Sequence, residues 1–206
     1  MSLNVRHLVY TALFAALFVA MSAIKIPLPF TPVPVSMQNL ALMLAGAFLG
    51  ARFGFYSIAI VIVLTAAGLP MLQGQGGLSY LMGGTGGFLV AFPFCALLVG
   101  YFAGKLFATN LRRENPVLFY ILLYLIFEVF GSLASYLIGV PWLAAVYDFS
   151  LAKSLAVGCY PFLLGDAAKA ILATVIVGVL YNYVPIIGAK NADTRSGITI
   201  HNGNGI

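Results

Sequence analysis

The stretch VLFYILLYLIFEVFGSLASYLIGV, Val117 to Val140, carries a single ionisable acid, Glu128, in an otherwise apolar or weakly polar run. A helix needs roughly 20 such residues to cross the hydrocarbon of a bilayer. The run is continuous and does not alternate with a period of two, which excludes a strand of a transmembrane β-barrel. Five more apolar runs lie around it: Leu8 to Ile24, Gln38 to Ala51, Phe53 to Leu69, Gly86 to Phe107, and Tyr160 to Val184. The second of the six is short and needs flanking residues or a tilt to span. Composition points the same way. At 62% hydrophobic and 7% charged residues over 206 positions, a soluble globule would expose far more apolar surface than such proteins do. The fold class expected is all-α integral membrane, a bundle of six transmembrane helices within residues 1–190. Residues 191–206 form a polar tail rich in Gly and Asn, expected to be disordered or extraneous to the fold.

The basic residues orient this bundle. With the N-terminus inside, Arg6, Arg52, Lys105, Arg112, Arg113, Lys190 and Arg195 fall on the cytoplasmic side, and Lys25 and Lys153 fall outside, with Lys169 near the outer end of the last span. Both termini are therefore expected to be cytoplasmic. The net charge of +5 is accounted for by topology, and since the basic residues form no contiguous patch, a nucleic-acid partner is not expected. Arg6 before an apolar stretch and the small residues of Ala20 to Ala23 also fit a cleaved signal peptide. Removing that span would send the two ends to opposite sides, which suits the charge asymmetry less well.

Enzymatic signatures are missing. The GxG within Gly83 to Gly87 has no βαβ unit around it, and Gly104 and Lys105 lack phosphate-loop spacing. His7 and His201 lie near the two ends, and no HExxH or GxSxG occurs. Cys95 and Cys159 have no Cys or His at ligand spacing, so they read as buried thiols with no metal site and no cofactor.

The unusual connections all fall on the outer side. KIPLPFTPVPVS, Lys25 to Ser36, holds Pro27, Pro29, Pro32 and Pro34, so it cannot be helical and should lie as a stiff, extended cover. LPMLQGQGGLSYLMGGTGGF, Leu69 to Phe88, is glycine-rich from Gly74 to Gly87, which lets backbone approach a ligand and fold back into a membrane mouth. The segment from Val140 through PWLAAVYDFSLAKSLAVG reads as an amphipathic stretch at the interface, anchored by Trp142. Beyond it, PFLLGDAAKA places Asp166 and Lys169 three residues apart at the head of an apolar helix. Ionised side chains are costly in hydrocarbon, so this pair reads as a mutually stabilised site for a polar ligand. The plainer alternative is that Asp166 caps the helix N-terminus with Lys169 as its partner. Glu128 is a second intramembrane acid, with no partner visible in the sequence. Ala12, Ala16 and Ala20 recur every four residues along the first span, a spacing that lets another helix approach closely, whether from this bundle or from a partner protein.

VPVSMQNLALMLAGAFLG (Val33 to Gly50), LPMLQGQGGLSYLMGGTGGFLVAF (Leu69 to Phe92), GVPWLA (Gly139 to Ala144) and YPFLLGDAAKA (Tyr160 to Ala170) together resemble the BioY family over nearly the whole apolar length. These are the biotin-specific S-components of energy-coupling factor (ECF) transporters. Gly84, Leu164 and Ser36 depart from the family's usual residues, but no charged group is lost. The resemblance implies a six-helix S-component in a prokaryotic plasma membrane, binding biotin near the external face beneath the loop that joins the first two helices. It implies as partners a transmembrane coupling (T) subunit, met by the Ala12, Ala16 and Ala20 face, and two cytoplasmic ATPase subunits that alone hydrolyse ATP. The chemistry of the residues suits that ligand: a cyclic urea offers N–H donors beside a carbonyl acceptor, and Asp166 and Lys169 supply the complementary acceptor and donor. The valerate carboxylate then falls to Lys25, Lys153, Ser36, Gln38 or loop N–H groups, and Thr85 and Gly86 of the glycine-rich loop are further candidate substrate-binding residues. Phe30, Leu81, Phe88 and Tyr160 are expected to enclose the apolar parts. A different heterocyclic vitamin, or a membrane interaction protein whose charge pair is purely structural, are the alternative readings.

Overall fold

A computed structural model describes residues 5–184. In chain order, α1 is Val5–Ala23, β1 Lys25–Ile26, β2 Val35–Ser36, α2 Gln38–Ala66, α3 Leu78–Leu81, α4 Gly86–Phe107 and α5 Leu111–Glu114. α6, Pro116–Ile126, runs through a π-helical turn, Phe127–Leu133, into α7, Ala134–Tyr147. α8, Leu151–Gly158, and a 3-10 turn, Tyr160–Phe162, lead into α9, Leu163–Val179. Lys190 and the tail at 191–206, which carries Arg195, lie outside the described residues.

Five helical stretches are long and apolar enough to cross a bilayer: 5–23, 38–66, 86–107, 116–147 and 151–179. Six were expected, and the difference lies in α2, which contains both the second and the third apolar runs. At Gly50 the backbone takes φ 76° and ψ 178°, outside the helical region, and a conformation that L side chains resist. The chain reverses there. A Cβ on Gly54 would stand 3.0 Å from the Gly46 Cα, a distance impossible along one straight helix, and one on Gly100 of α4 would stand 2.4 Å from the Ala51 N. Glycine at these positions lets two arms and α4 pack backbone to backbone. α1 registers the reversal: Phe14 stacks on Phe48 of one arm and His7 on Phe53 of the other. The arm Gln38–Leu49 is only about 18 Å long, yet every residue in it is buried. It can be shorter than the hydrocarbon is thick because neighbouring helices, and not lipid, surround it.

The first half of the core centres on α2 and α4, with Leu42, Met43, Ala45, Ala96 and Val99 inaccessible. α6 starts at Pro116 behind Asn115, whose side chain accepts from the Leu118 N–H, the position where a missing proline N–H does no harm. Two expectations about the outer segments change. The fifth run does not stop at Val140, because α7 continues through Pro141 and ends only where Asp148 turns left-handed at φ 52°. Trp142 is accordingly part of that helix, and its Nε1 donates to the Gly83 carbonyl at 2.9 Å, so it ties the glycine-rich loop to α7 and does not anchor an interfacial segment. The short helix at that level is α8, capped by Ser150, which accepts from the Lys153 N–H.

The charges separate along the bundle. Arg6, Arg52, Lys105, Arg112 and Arg113 sit at the end formed by the start of α1, the Gly50 joint, the end of α4 and the start of α6, while Lys25 and Lys153 sit at the opposite end. The proline segment, the glycine-rich loop and α8 gather at that opposite end, as expected.

Candidate functional site

The proline segment is a small ribbon. β1 and β2 pair antiparallel, Lys25 with Ser36 and Ile26 with Val35, and the prolines occupy the tip, where no ladder N–H is needed. The ribbon is fastened across the bundle by the Thr31 hydroxyl, which donates to the Val157 carbonyl of α8 at 2.5 Å.

Beneath the ribbon lies the pair from α9. One turn along the helix brings Lys169 Nζ to 2.8 Å from Asp166 Oδ1, and the Tyr136 hydroxyl of α7 donates to the other oxygen, Oδ2. Asp166 is 2% exposed and Lys169 7%. Asp166 is not a helix cap, since the residue at the cap position of α9 is Phe162 and no side chain bonds the free N–H groups there. A buried carboxylate with an ammonium and a phenol on it is held in one orientation by three helical positions. Its unused lone pairs, and the remaining N–H groups of Lys169, face a cavity of about 40 Å3 lined by Val33, Pro34, Ser36, Asn39, Phe88, Ser135 and Phe162.

A second cavity of about 40 Å3 adjoins it across Val33, Pro34, Ser36 and Phe88, and is walled by Gln38, Gln73, Tyr80, Thr85 and Leu89. It opens in turn on a mouth of about 290 Å3 bordered by Lys25, Thr31, Gln75 and again Gln73, Tyr80 and Thr85. The three form a track from the outer end of the bundle down to Asp166, narrowed by the ribbon. Burial raises the Tyr80 phenol above its ordinary value, with Thr85 pulling the other way, so Tyr80 stays a neutral donor on the wall. Midway along the track, Ser36 Oγ donates to Gln38 Oε1 at 3.0 Å. Gln38 Nε2 is buried with no partner among the described residues, a donor free to meet a ligand acceptor.

Of the residues singled out in the sequence, Asp166, Lys169 and Phe88 converge on the inner cavity, Gln38 and Thr85 on the middle one, and Lys25 on the mouth. Others lie elsewhere. Phe30, at the ribbon tip, is 61% exposed, and Tyr160, on the 3-10 turn, is 60% exposed. Neither borders the track. The aromatic walls are Phe88 and Phe162, because the turn before α9 swings Phe162 inward and Tyr160 out. Leu81 is buried in the core, and Gly86 acts through backbone: a Cβ there would lie 1.7 Å from the Leu81 carbonyl oxygen, so only glycine lets α3 fold against α4. Lys153 is parked over the Phe149 ring at 3.7 Å. Glu128, on the π-helical turn, has a buried Oε2 with no hydrogen-bond partner among the described residues and does not line the track. Tyr136, Asn39 and Phe162 were not anticipated. Among the described residues no cluster of His, Cys, Asp or Glu could hold a metal.

The BioY family model matches residues 1–186. Among curated proteins, the chain is similar to the biotin transporter BioY of Rhizobium etli, 36% identical over 91% of this chain and 100% of that one. It is also similar to the biotin transporter BioY of Lactococcus lactis subsp. cremoris, 34% identical over 84% of this chain and 89% of the relative. Among solved structures, the S-component for biotin from an ECF-type ABC transporter superposes with a TM-score of 0.77 at 32% identity, covering 88% of this chain and 95% of that chain.

Proposed function

This chain belongs to the BioY family, and from that premise we propose how its residues serve biotin uptake as the S-component of an ECF transporter. It is a substrate-binding transport protein and not an enzyme. The observation that carries the site is the buried Asp166, Lys169 and Tyr136 cluster at the inner end of the track. A cyclic urea placed there gives an N–H to Asp166 and takes an N–H from Lys169, and both contacts are charge-assisted. Such bonds contribute about 1.5 to 3 kcal/mol each, which falls well short of the roughly 12 kcal/mol of a nanomolar complex. Enclosure of the thiophane ring against Phe88 and Phe162 supplies the remainder. The valerate chain then runs back along the track, and its carboxylate meets the unpartnered Gln38 Nε2 beside Ser36 and Thr85. Cavities of about 40 Å3 are far below the ~300 Å3 of ordinary ligand pockets, so the ribbon must lift at Val33 and Pro34 for the ligand to pass and settle back over it.

The finer topology belongs to the same reading. Counting the two arms of α2 separately gives six crossings. The basic end faces the cytoplasm of a prokaryotic plasma membrane, with both termini inside and the ligand mouth outside. Transport needs a T subunit and two ATPase subunits, and this chain itself uses no cofactor. Biotin added to the detergent-purified chain is expected to raise its melting temperature, by RT ln(1 + [L]/Kd), and thiamine or riboflavin at the same concentration to leave it unchanged. An unaltered melt with biotin, or an equal rise with the other vitamins, contradicts this assignment.

A further inference from the structure

At the basic end, away from the ligand track, two hollows lie side by side. One is polar, about 500 Å3, where α4 and α9 end and α5 begins, and is lined by Thr109, Asn110, Arg112, Arg113, Tyr181 and Asn182. The other is an apolar groove of about 430 Å3 along the side of the bundle, walled by Tyr120, Thr174, Val175, Gly178 and Val179. Gly178 joins them. Its carbonyl accepts from Arg112 Nη2 at 3.4 Å, which sets the lining of one hollow directly against that of the other, and a Cβ on it would reach 2.9 Å from the Tyr120 ring, so glycine keeps the upper end of the groove open.

Arg112 lies over Tyr181 with its guanidinium carbon 3.9 Å from the ring centroid. That stacking and one bond to Gly178 leave most of its five N–H groups for a ligand. Arg113 has no ion-pair partner among the described residues, and Glu114 beside it on α5 makes none either. The groove side is lipid-like: Val175 is 55% exposed and Val179 76%, facing outward along α9 for about one turn below the arginines. A fixed, stacked guanidinium at the rim of a helical bundle, with an apolar channel leading from it into the hydrocarbon, matches the two halves of a phospholipid. Arginine N–H forks suit phosphate oxygens, and basic pockets between membrane helices on the cytoplasmic side favour anionic headgroups.

We propose that the hollow at Arg112 and Arg113, together with the groove at Val175 and Gly178, is a binding site for one anionic phospholipid, phosphate on the arginines and an acyl chain in the groove. The site is independent of the biotin track and stands whether or not that track binds biotin. Native mass spectrometry of the delipidated full chain tests it, with dioleoylphosphatidylglycerol and dioleoylphosphatidylcholine as probes and sn-glycerol 3-phosphate as the headgroup without chains. Phosphatidylglycerol occupancy is expected to exceed that of phosphatidylcholine by about fivefold. Arg113→Gln and Val175→Trp are each expected to remove that preference or that occupancy, and glycerol phosphate to show no adduct. The melting temperature of each variant without ligand, compared with that of the unaltered chain, serves as the check that both fold. Equal retention of the two lipids, or unchanged phosphatidylglycerol retention in both folded variants, overturns the proposal. Glycerol phosphate binding as strongly as the lipid overturns it in favour of a free phosphate site. Loss of a co-purifying transporter subunit in Arg113→Gln with lipid retention intact overturns it in favour of a protein contact.

Discussion

Asp166→Asn is expected to weaken biotin binding by at least about tenfold, and toward a hundredfold if its contact falls in the upper part of the 1.5 to 3 kcal/mol range for charge-assisted bonds. Two side chains depend on that carboxylate. Lys169 Nζ sits 2.8 Å from Oδ1 and the Tyr136 hydroxyl donates to Oδ2, so the amide removes the counter-charge of a buried ammonium and offers one acceptor where there were two. Asparagine is nearly isosteric, keeps an acceptor for Lys169 and lets the Tyr136 hydroxyl turn to accept from the amide N–H, so the bundle should survive, whereas Asp166→Ala would remove both hydrogen bonds as well as the counter-charge, at a cost of about 3–5 kcal/mol. Titration calorimetry in detergent reads the affinity, and the melting temperature without biotin separates ligand loss from unfolding. Unchanged affinity in the asparagine variant removes Asp166 from the site.

A larger assembly effect is expected from Ala16→Leu. The residues Ala12, Ala16 and Ala20 are all exposed, while Phe18 and Ser22 carry the buried side of α1. Internal packing therefore does not account for the small side chains at that spacing. A face of alanines lets a second helix come within backbone distance, and close approach is what drives helix association where there is no hydrophobic effect to exploit. Leucine at the centre of the stripe pushes such a partner away without touching the ligand track. Co-expression with a T subunit and its ATPases should then yield little or no complex, and uptake should fall with it, at unaltered biotin affinity. Normal co-purification of the leucine variant refutes the docking face.

Much of this architecture was legible in the chain because lipid imposes a simple rule: apolar runs of the right length become helices. The two connections rich in proline and glycine also identified themselves, since neither composition sustains a helix. The break between the second and third runs was legible from Arg52 between them, but the residue at which the chain turns was not, as nothing in MLAGAFLGARFG distinguishes a glycine that packs from one that turns. α7 runs past Val140 with Pro141 inside it, because helices of a membrane bundle tolerate a missing N–H that their neighbours accommodate, whereas a proline read from sequence alone signals a stop. At the site, Asp166 and Lys169 were visible because three-residue spacing is local. Tyr136 was hidden because it lies thirty positions away in the chain, on another helix, within a run where tyrosines look like interfacial or core aromatics. Spacing could not tell which aromatic of the 3-10 turn lines the inner cavity: Phe162 does and Tyr160 is exposed, a difference made only by the rotation of that turn.

The central claim is that a buried acid and amine at the end opposite the basic residues grip the urea ring of biotin. A structure of the chain with biotin bound tests it most directly. The account predicts the ureido nitrogen and oxygen within about 3.2 Å of Asp166 and Lys169, the ring between Phe88 and Phe162, and the carboxylate beside Gln38. Biotin found with its ring away from both charged groups, or at the end that carries Arg112 and Arg113, contradicts it.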